Sequence, residues 1–369
     1  MPYSDAPRTL AGSMVDGTTI GSYGTYALDL LESVPAIAYP ESVITYSRMR
    51  HDPQIKAVID AYAHPIRAGT WAVNPKGCRD EVVQLVADAW GLPVLGQDDG
   101  PGPFRRRGVR WAQHLRLTLA LTLAFGHCPY AVRYEITGDP IRARLAELSE
   151  RLPQTISSIE INPDGSLKGV YQNGGRDLIP AKNLLWYCRE REGAAWQGQS
   201  MLRPAYAPWL IKHELWRILA TSSRRFGMGV PQVKAPAGGT PSDIAKAAEI
   251  AALYRVGDQS GIGLPDGYTF DLTGLSGSVP DTLGFIHYLD AQIATSCLAE
   301  LLNLDTSPNG SRALGDTVIS LLELAWQATA DEIAETASTL NVQMVDFNFG
   351  EDEPVPGVVC TDINRPEVT

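Results

Sequence analysis

The chain has 369 residues, of which 44% are hydrophobic and 20% charged, and a formal net charge of -11. That length and apolar content can bury a sizeable core in two or three structural units, which excludes a disordered chain. The acidic balance excludes a surface built to grip nucleic acid by neutralising phosphates, but not a conduit through which a duplex slides. The five cysteines, Cys78, Cys128, Cys188, Cys297 and Cys360, form no C-x-x-C pair. With no signal peptide recognised, reduced thiols in a cytoplasmic setting are expected. No apolar run approaches the roughly 18–20 residues that span a bilayer, and Leu115 to Phe125 reads as a buried helix.

Residues 1–40 are rich in Pro, Gly and Ser and read as an extended arm with a helical turn near Leu28 to Leu31. Such an arm is either a flexible tail or a segment ordered against a neighbouring subunit. From Glu41 the pattern predicts two short helices and then a strand at Thr70 to Val73. Asp52 and Pro53 take the N-cap and N1 places of the second helix, with Ile55, Val58, Ile59 and Tyr62 on one face. Arg79 to Trp90 reads as a helix and residues 91–104 as a loop. Arg105, Arg106, Arg107 and Arg110 open a long helix through Phe125. Cations oppose the dipole at that end, so a solvated or intersubunit face paired with carboxylates is expected rather than a DNA-facing patch.

Gly126 ends that helix, and a strand follows to Ile136, with Tyr130, Val132 and Tyr134 alternating with Arg133 and Glu135. His127 beside Cys128 lacks the further convergent ligands that a metal site needs. Residues 140–152 read as a short charged helix. A hairpin follows, with Ile156, Ile159 and Ile161 in one strand and Leu167 and Val170 in the other. Its turn is Asn162-Pro163-Asp164-Gly165, and residues 179–191 return as a strand.

The stretch from Trp196 to Val233 is a glycine turn, a long helix and a short V-P-x-V strand. Leu210, Ile211, Leu215, Ile218 and Leu219 make one apolar stripe, Pro204 and Pro208 sit near the start, and Arg224 and Arg225 suit the last turn before Gly227 stops it. Residues 228–277 form a small inserted unit with a helix from Pro241 to Arg255. Two short strands, Ile262 to Pro265 and Tyr268 to Phe270, are expected to join at Asp266-Gly267. Asp281 to Leu302 is a second long helix, with Leu283, Ile286, Ile293, Leu301 and the aromatic pair Phe285 and Tyr288. Pro308, Asn309 and Gly310 break it, and Ser311 caps a last helix from Arg312 to about Leu340. Val345, Phe347 and Phe349 alternate with Asp346 and Asn348 as a half-buried strand.

Three of these stretches, in this order, resemble bacteriophage portal (head-to-tail connector) proteins. The first is Met49, Asp52, Pro53 and Ile55, followed by Pro65, Ile66, Trp71 and Val73. The second is the glycine turn, helix and strand of residues 196–233. The third is Ser311-Arg312-Ala313-Leu314-Gly315-Asp316 at a break between helices. The resemblance implies an α+β, portal-like fold, mainly helical, with β-rich wing segments, two long stem helices and an inserted clip. In those terms residues 1–40 are the arm, 41–200 the wing, 201–227 a stem helix, 228–277 the clip, 278–302 the return stem helix and 303–315 the tunnel-loop region. Residues 316–369 would be the wing helix and C-terminal strand, with a crown absent or vestigial.

The same resemblance implies a ring of about twelve copies at one capsid vertex. It would be the channel for DNA packaging and ejection, docking the terminase large subunit and a head–tail adaptor. Major capsid protein and scaffold would be neighbours, double-stranded DNA a non-specific passenger, and no membrane is implicated. The location would be the virion's portal vertex, after assembly in the host cytoplasm. Tunnel-loop candidates are Leu304, Asp305, Thr306, Ser307, Pro308, Asn309 and Gly310; stem and intersubunit candidates are Arg217, Arg224, Arg225 and Tyr288; clip candidates are Tyr254, Arg255, Tyr268 and Phe270. No catalytic residue, cofactor or metal is expected. Residues 198–202 lack the second glycine of a G-x-S-x-G elbow, and H-E-x-x-H, Walker A and dinucleotide motifs are missing. The rivals are another virion structural protein, such as an adaptor or minor capsid protein, and a hydrolase using Ser200 or His213.

Overall fold

The computed structural model describes residues 32–97, 108–138, 141–228, 230–253, 263–273, 281–297 and 312–363. They divide into two compact units: Met1–Tyr206 with Ala291–Thr369, and Ala207–Asp290.

In the first unit, helix α1 (Glu41–Met49) leads to α2 (Pro53–Ala68), whose N-cap Asp52 accepts from Gln54 N–H at 2.9 Å and Ile55 N–H at 3.3 Å. Strand β1 (Thr70–Asn74) follows, then α3 (Asp80–Trp90) and α4 (Trp111–Phe125). The arginine-led start expected for α4 is not seen: Arg110 is its N-cap, in extended conformation, and Arg105 to Arg107 lie outside the described residues. Trp71, Trp90, Trp111, His114, Tyr130 and Tyr187 form an aromatic cluster, with Trp90 and Trp111 edge to face at 5.3 Å.

Strand β2 (His127–Thr137) pairs antiparallel with β3 (Arg142–Glu150), the segment whose composition predicts a helix. Arg, Ala, Leu and Glu favour helices, but tertiary pairing overrides that weak preference. The hairpin buries Leu145, and the amide of Asn348 both donates to Ala143 C=O and accepts from Ala143 N–H, each at 2.8 Å. A side chain thus pairs the backbone of one residue, Ala143, on the free edge of this strand.

The hairpin β4 (Ile156–Ile161) and β5 (Leu167–Gln172) forms as expected, but the returning segment splits. Its first part is β6 (Ile179–Pro180) beside β5; after a 3₁₀ turn, β7 (Leu184–Cys188) joins β2 in the other sheet. Ile156, Ile159, Val170, Leu184 and Trp186 make a small core between the two sheets.

The remaining helices, in chain order, are α5 (Tyr206–Met228), α6 (Pro241–Leu253), α7 (Thr282–Ser296) and α8 (Arg312–Phe349). The half-buried strand expected at residues 345–349 is instead the end of α8. Ala337, Leu340, Asn341, Met344 and Val345 are buried at helical spacing, while Phe347, about 200° around the helix from Val345, is 62% exposed, so the alternating apolar letters do not share one buried side. Phe349 lies under the guanidinium of Arg142 at 4.3 Å and that of Arg79 at 5.3 Å. Asn341, fully buried, accepts from Trp90 Nε1 at 2.7 Å and donates to Pro356 C=O at 2.8 Å. Strands β8 (Val230–Lys234) and β9 (Thr269–Thr273) pair in the second unit, and β10 (Gly357–Thr361) closes the first unit against β1.

The Leu28 to Leu31 turn and the tunnel-loop candidates Leu304 to Gly310 lie outside the described residues. None of the five cysteines is in a disulfide, and no helix among the described residues is long and apolar enough to cross a membrane.

Candidate functional site

The glycine turn that leads into α5 is set by backbone crowding. Gly126, at φ +87°, and Gly198, at φ +63°, lie where two stretches of chain cross. A Cβ on Gly126 would meet Gln197 O at 2.6 Å, and one on Gly198 would meet Arg189 O at 2.7 Å. Arg189 N–H donates to Gly126 C=O at 2.8 Å and Gln199 N–H to Arg189 C=O at 2.9 Å, so the turn is stitched to the β2–β7 sheet.

Ser200 ends this turn buried. Its hydroxyl donates to Ala124 C=O at 2.6 Å and accepts from Leu202 N–H at 3.0 Å, so no base activates it. Cavities of about 310 Å³ lie on either side, one lined by Glu32, Tyr39, Glu192 and Arg203, the other by Tyr62, Arg189, Glu190 and Cys297. Among the described residues no group of three His, Cys, Asp or Glu could hold a metal. The buried histidines serve the core. His114 Nε2 lies 2.8 Å from Tyr187 Oη, and His127 Nδ1 donates to Gln197 C=O at 2.9 Å. Desolvation lowers their pKa values to about 3 and about 4.

The second unit, Ala207–Asp290, carries the surface that stands out. At 3.6 residues per turn the expected single stripe on α5 separates into faces. Lys212, Leu215 and Leu219 share the inner face; Lys212 is only 4% exposed, and its Nζ donates to Asp290 Oδ1 of α7 at 2.5 Å. Ile211 and Ile218, 47% and 56% exposed, form one flank. Trp216, 48% exposed, takes the other flank with Trp209, whose ring stacks on His213 at 5.9 Å. The outward edge carries Leu210, 44% exposed, among the polar Glu214, Arg217 and Thr221, with Arg217 3.5 Å from Glu214. Helix α7 repeats the division. Ile286 and Leu289 are buried, Phe285 and Tyr288 stack at 6.0 Å on one flank, and Leu283 is exposed on the other.

The sequence-predicted site residues are distributed unevenly. Arg217 is on the outward edge of α5 and Tyr288 on a flank of α7. Arg224 and Arg225 fall in the last turns of α5, which continues past Gly227 to Met228; their side chains are outside the described residues. In the insert, Phe270 stands opposite Val233 across the β8–β9 pair. The expected strand at residues 262–265 is absent from the described part of that segment, because β9 takes β8 as its partner. Tyr268 donates to Asp243 Oδ1 at 3.2 Å, while Thr240 N–H and Oγ1 both donate to Asp243 Oδ2 at 2.8 Å. The bond from Thr240 N–H to the Asp243 carboxylate is one half of a capping box at the start of α6, and it leads in holding that carboxyl below its ordinary pKa. Tyr254 and Arg255 lie outside the described residues. Sequence reasoning missed Lys212 and Trp216; a lysine inside an apolar stripe was the one available signal.

The same fold occurs in chains of gene transfer agent particles. A chain from the neck of an empty particle, computed with C6 symmetry, aligns at TM-score 0.59 and 12% identity, covering 89% of this chain and 86% of that one. One from the native neck, computed with C12 symmetry, aligns at 0.54 and 12%, covering 89% and 86%. One from the native virion aligns at 0.53 and 12%, covering 87% and 84%. The architecture is therefore a portal-like α+β fold shared with chains from the necks of those particles. A profile of the family described as "Portal protein of Mu bacteriophage" matches residues 43–368, and the chain belongs to that portal family.

Proposed function

We propose that the chain is the repeating subunit of a portal ring at one capsid vertex, the channel through which DNA is packaged and ejected. What carries this reading is family membership over residues 43–368 together with a second unit in which α5 and α7 leave apolar side chains uncovered in the single chain. The neck chains that share the fold come from particles computed with C6 and C12 symmetry, which supports a closed ring of about twelve copies. In it, α5 and α7 are the stem helices, Arg217 and Tyr288 belong to the stem surface, and residues 228–277 are the clip. The clip docks the terminase large subunit during packaging and a head–tail adaptor afterwards, and the ATPase belongs to the terminase. Residues 303–315 supply the tunnel loop. Capsid protein and scaffold surround the wing, and the assembled ring resides in the virion.

Light scattering on a sizing column, with negative-stain images, tests the ring. The expected result is a single species of about twelve copies with a central hole; a strictly monomeric protein at every concentration overturns it. Deleting residues 228–277 is expected to abolish terminase docking while the wing folds. Retained packaging would refute the clip assignment.

A further inference from the structure

Within the second unit, α5 and α7 cover each other along inner faces that are aliphatic except at one point. Leu215 and Leu219 are half-buried on α5, and Ile286 and Leu289 are buried on α7. Lys212 interrupts that run. Among the described residues of α5 it is the only fully buried one, at 4% exposed. A lysine is almost never covered to this degree unless it is paired. Its ammonium donates to Asp290 Oδ1 at 2.5 Å, and Asp290 is the only carboxylate in α7. One turn either side of Lys212 stand Pro208, Trp209, Leu215 and Trp216, none of them a cation. One turn either side of Asp290 stand Ile286, His287, Ile293 and Ala294, none of them an acid.

We infer that Lys212 and Asp290 are a positioning pair that fixes the register of α5 on α7 inside each chain. An ion pair taken out of water adds little stability over an apolar pair of the same volume, because desolvation offsets the attraction. What such a pair does well is select one arrangement among several. Aliphatic contacts select weakly. Leu219 lies one turn beyond Leu215, so sliding α5 by a turn, about 5.4 Å, puts one leucine where the other was. The same slide carries Lys212 to a turn of α7 that offers no carboxylate, and both charges are left covered and unpaired. Losing a buried partner in this way depresses the shifted arrangement by roughly a hundredfold or more. Resting on the ring reading, the pair also bears on assembly. Identical copies close into one ring only when each presents the same surface, so a mixture of registers spoils a single copy number.

Three variants of the full chain test this by a register measurement and a mass measurement. Lys212→Met/Asp290→Leu makes the contact wholly apolar at similar volume, Lys212→Arg keeps the charge, and Asp290→Leu alone orphans the lysine. Spin labels on a non-thiol handle at the exposed positions 214 and 287 report the spacing of α5 and α7 by pulsed electron paramagnetic resonance, with labelled chains diluted into unlabelled ones. The wild type and Lys212→Arg are expected to give one distance and rings of one mass. The apolar pair is expected to melt no lower than the wild type, yet to show a second distance and several ring masses. A single unchanged distance in the apolar pair overturns the inference, whatever its melting temperature. An apolar pair that melts as low as Asp290→Leu also overturns it, because the ions then hold the helices together rather than align them. Should the apolar pair fail to fold, Lys212→Met/Asp290→Asn takes its place with the same outcomes. A monomeric wild type would remove the ring reading, while the distances still decide the register, so the two failures are distinguishable.

Discussion

Asn341 offers a measurable test of how the long α8 helix is held in the first unit. It is fully buried, takes the Trp90 indole N–H at 2.7 Å and gives its own amide proton to Pro356 C=O at 2.8 Å. Asn341→Ala leaves both groups buried without partners, at about 1–3 kcal/mol each, and adds a small void. The expected loss is about 3–5 kcal/mol. For a unit of this size that is a fall of about 8–15 °C in melting temperature. Asn341→Leu refills most of the volume without restoring either bond, so the difference between the two variants isolates the packing part. Trp90→Phe removes one donor, and a double-mutant cycle with Asn341→Ala is expected to show coupling of about 1 kcal/mol or more. The assay is urea unfolding followed by tryptophan fluorescence and far-ultraviolet circular dichroism together. A loss below about 1 kcal/mol for Asn341→Ala, or strict additivity with Trp90→Phe, would refute the reasoning.

Three other perturbations bear on the same unit. Gly126→Ala places a Cβ against backbone atoms of Gln197 and Gly198 at a left-handed residue, so poor folding and rapid limited proteolysis of the 189–205 turn are expected. Removing the α2 cap with Asp52→Ala is expected to cost about 1 kcal/mol, read as a shift in the urea midpoint with unchanged slope. His114 and His127 are held neutral in the fold, so an unfolded chain takes up their protons near pH 6.5 while the folded one resists until about pH 3 and about pH 4. Their contribution is complete above pH 6.5 and is lost progressively as pH falls through that window, at about 1.4 kcal/mol per unit per group. Urea midpoints at pH 7, 5 and 4 are expected to fall in that order, and His114→Gln should make the fall shallower.

Features set by near neighbours in the chain were legible from the amino acids alone. Asp52-Pro53 announces α2 because a cap and a missing N–H act within one turn, and Asn162-Pro163-Asp164-Gly165 closes the β4–β5 hairpin for the same local reason. The portal resemblance in residues 41–350 also rested on such punctuation, and the family match over residues 43–368 agrees with it. Tertiary structure decided what distant partners decide. Residues 142–150 became a strand because β2 and the Asn348 amide supply hydrogen bonds that no local pattern encodes. Residues 345–349 stayed helical because Val345 continues a buried face that began turns earlier. The apolar stripe of α5 was visible in the sequence, but its division into an inner face at Lys212 and two open flanks was not. Periodicity reports which residues share a side of a helix; only packing determines which sides are already covered.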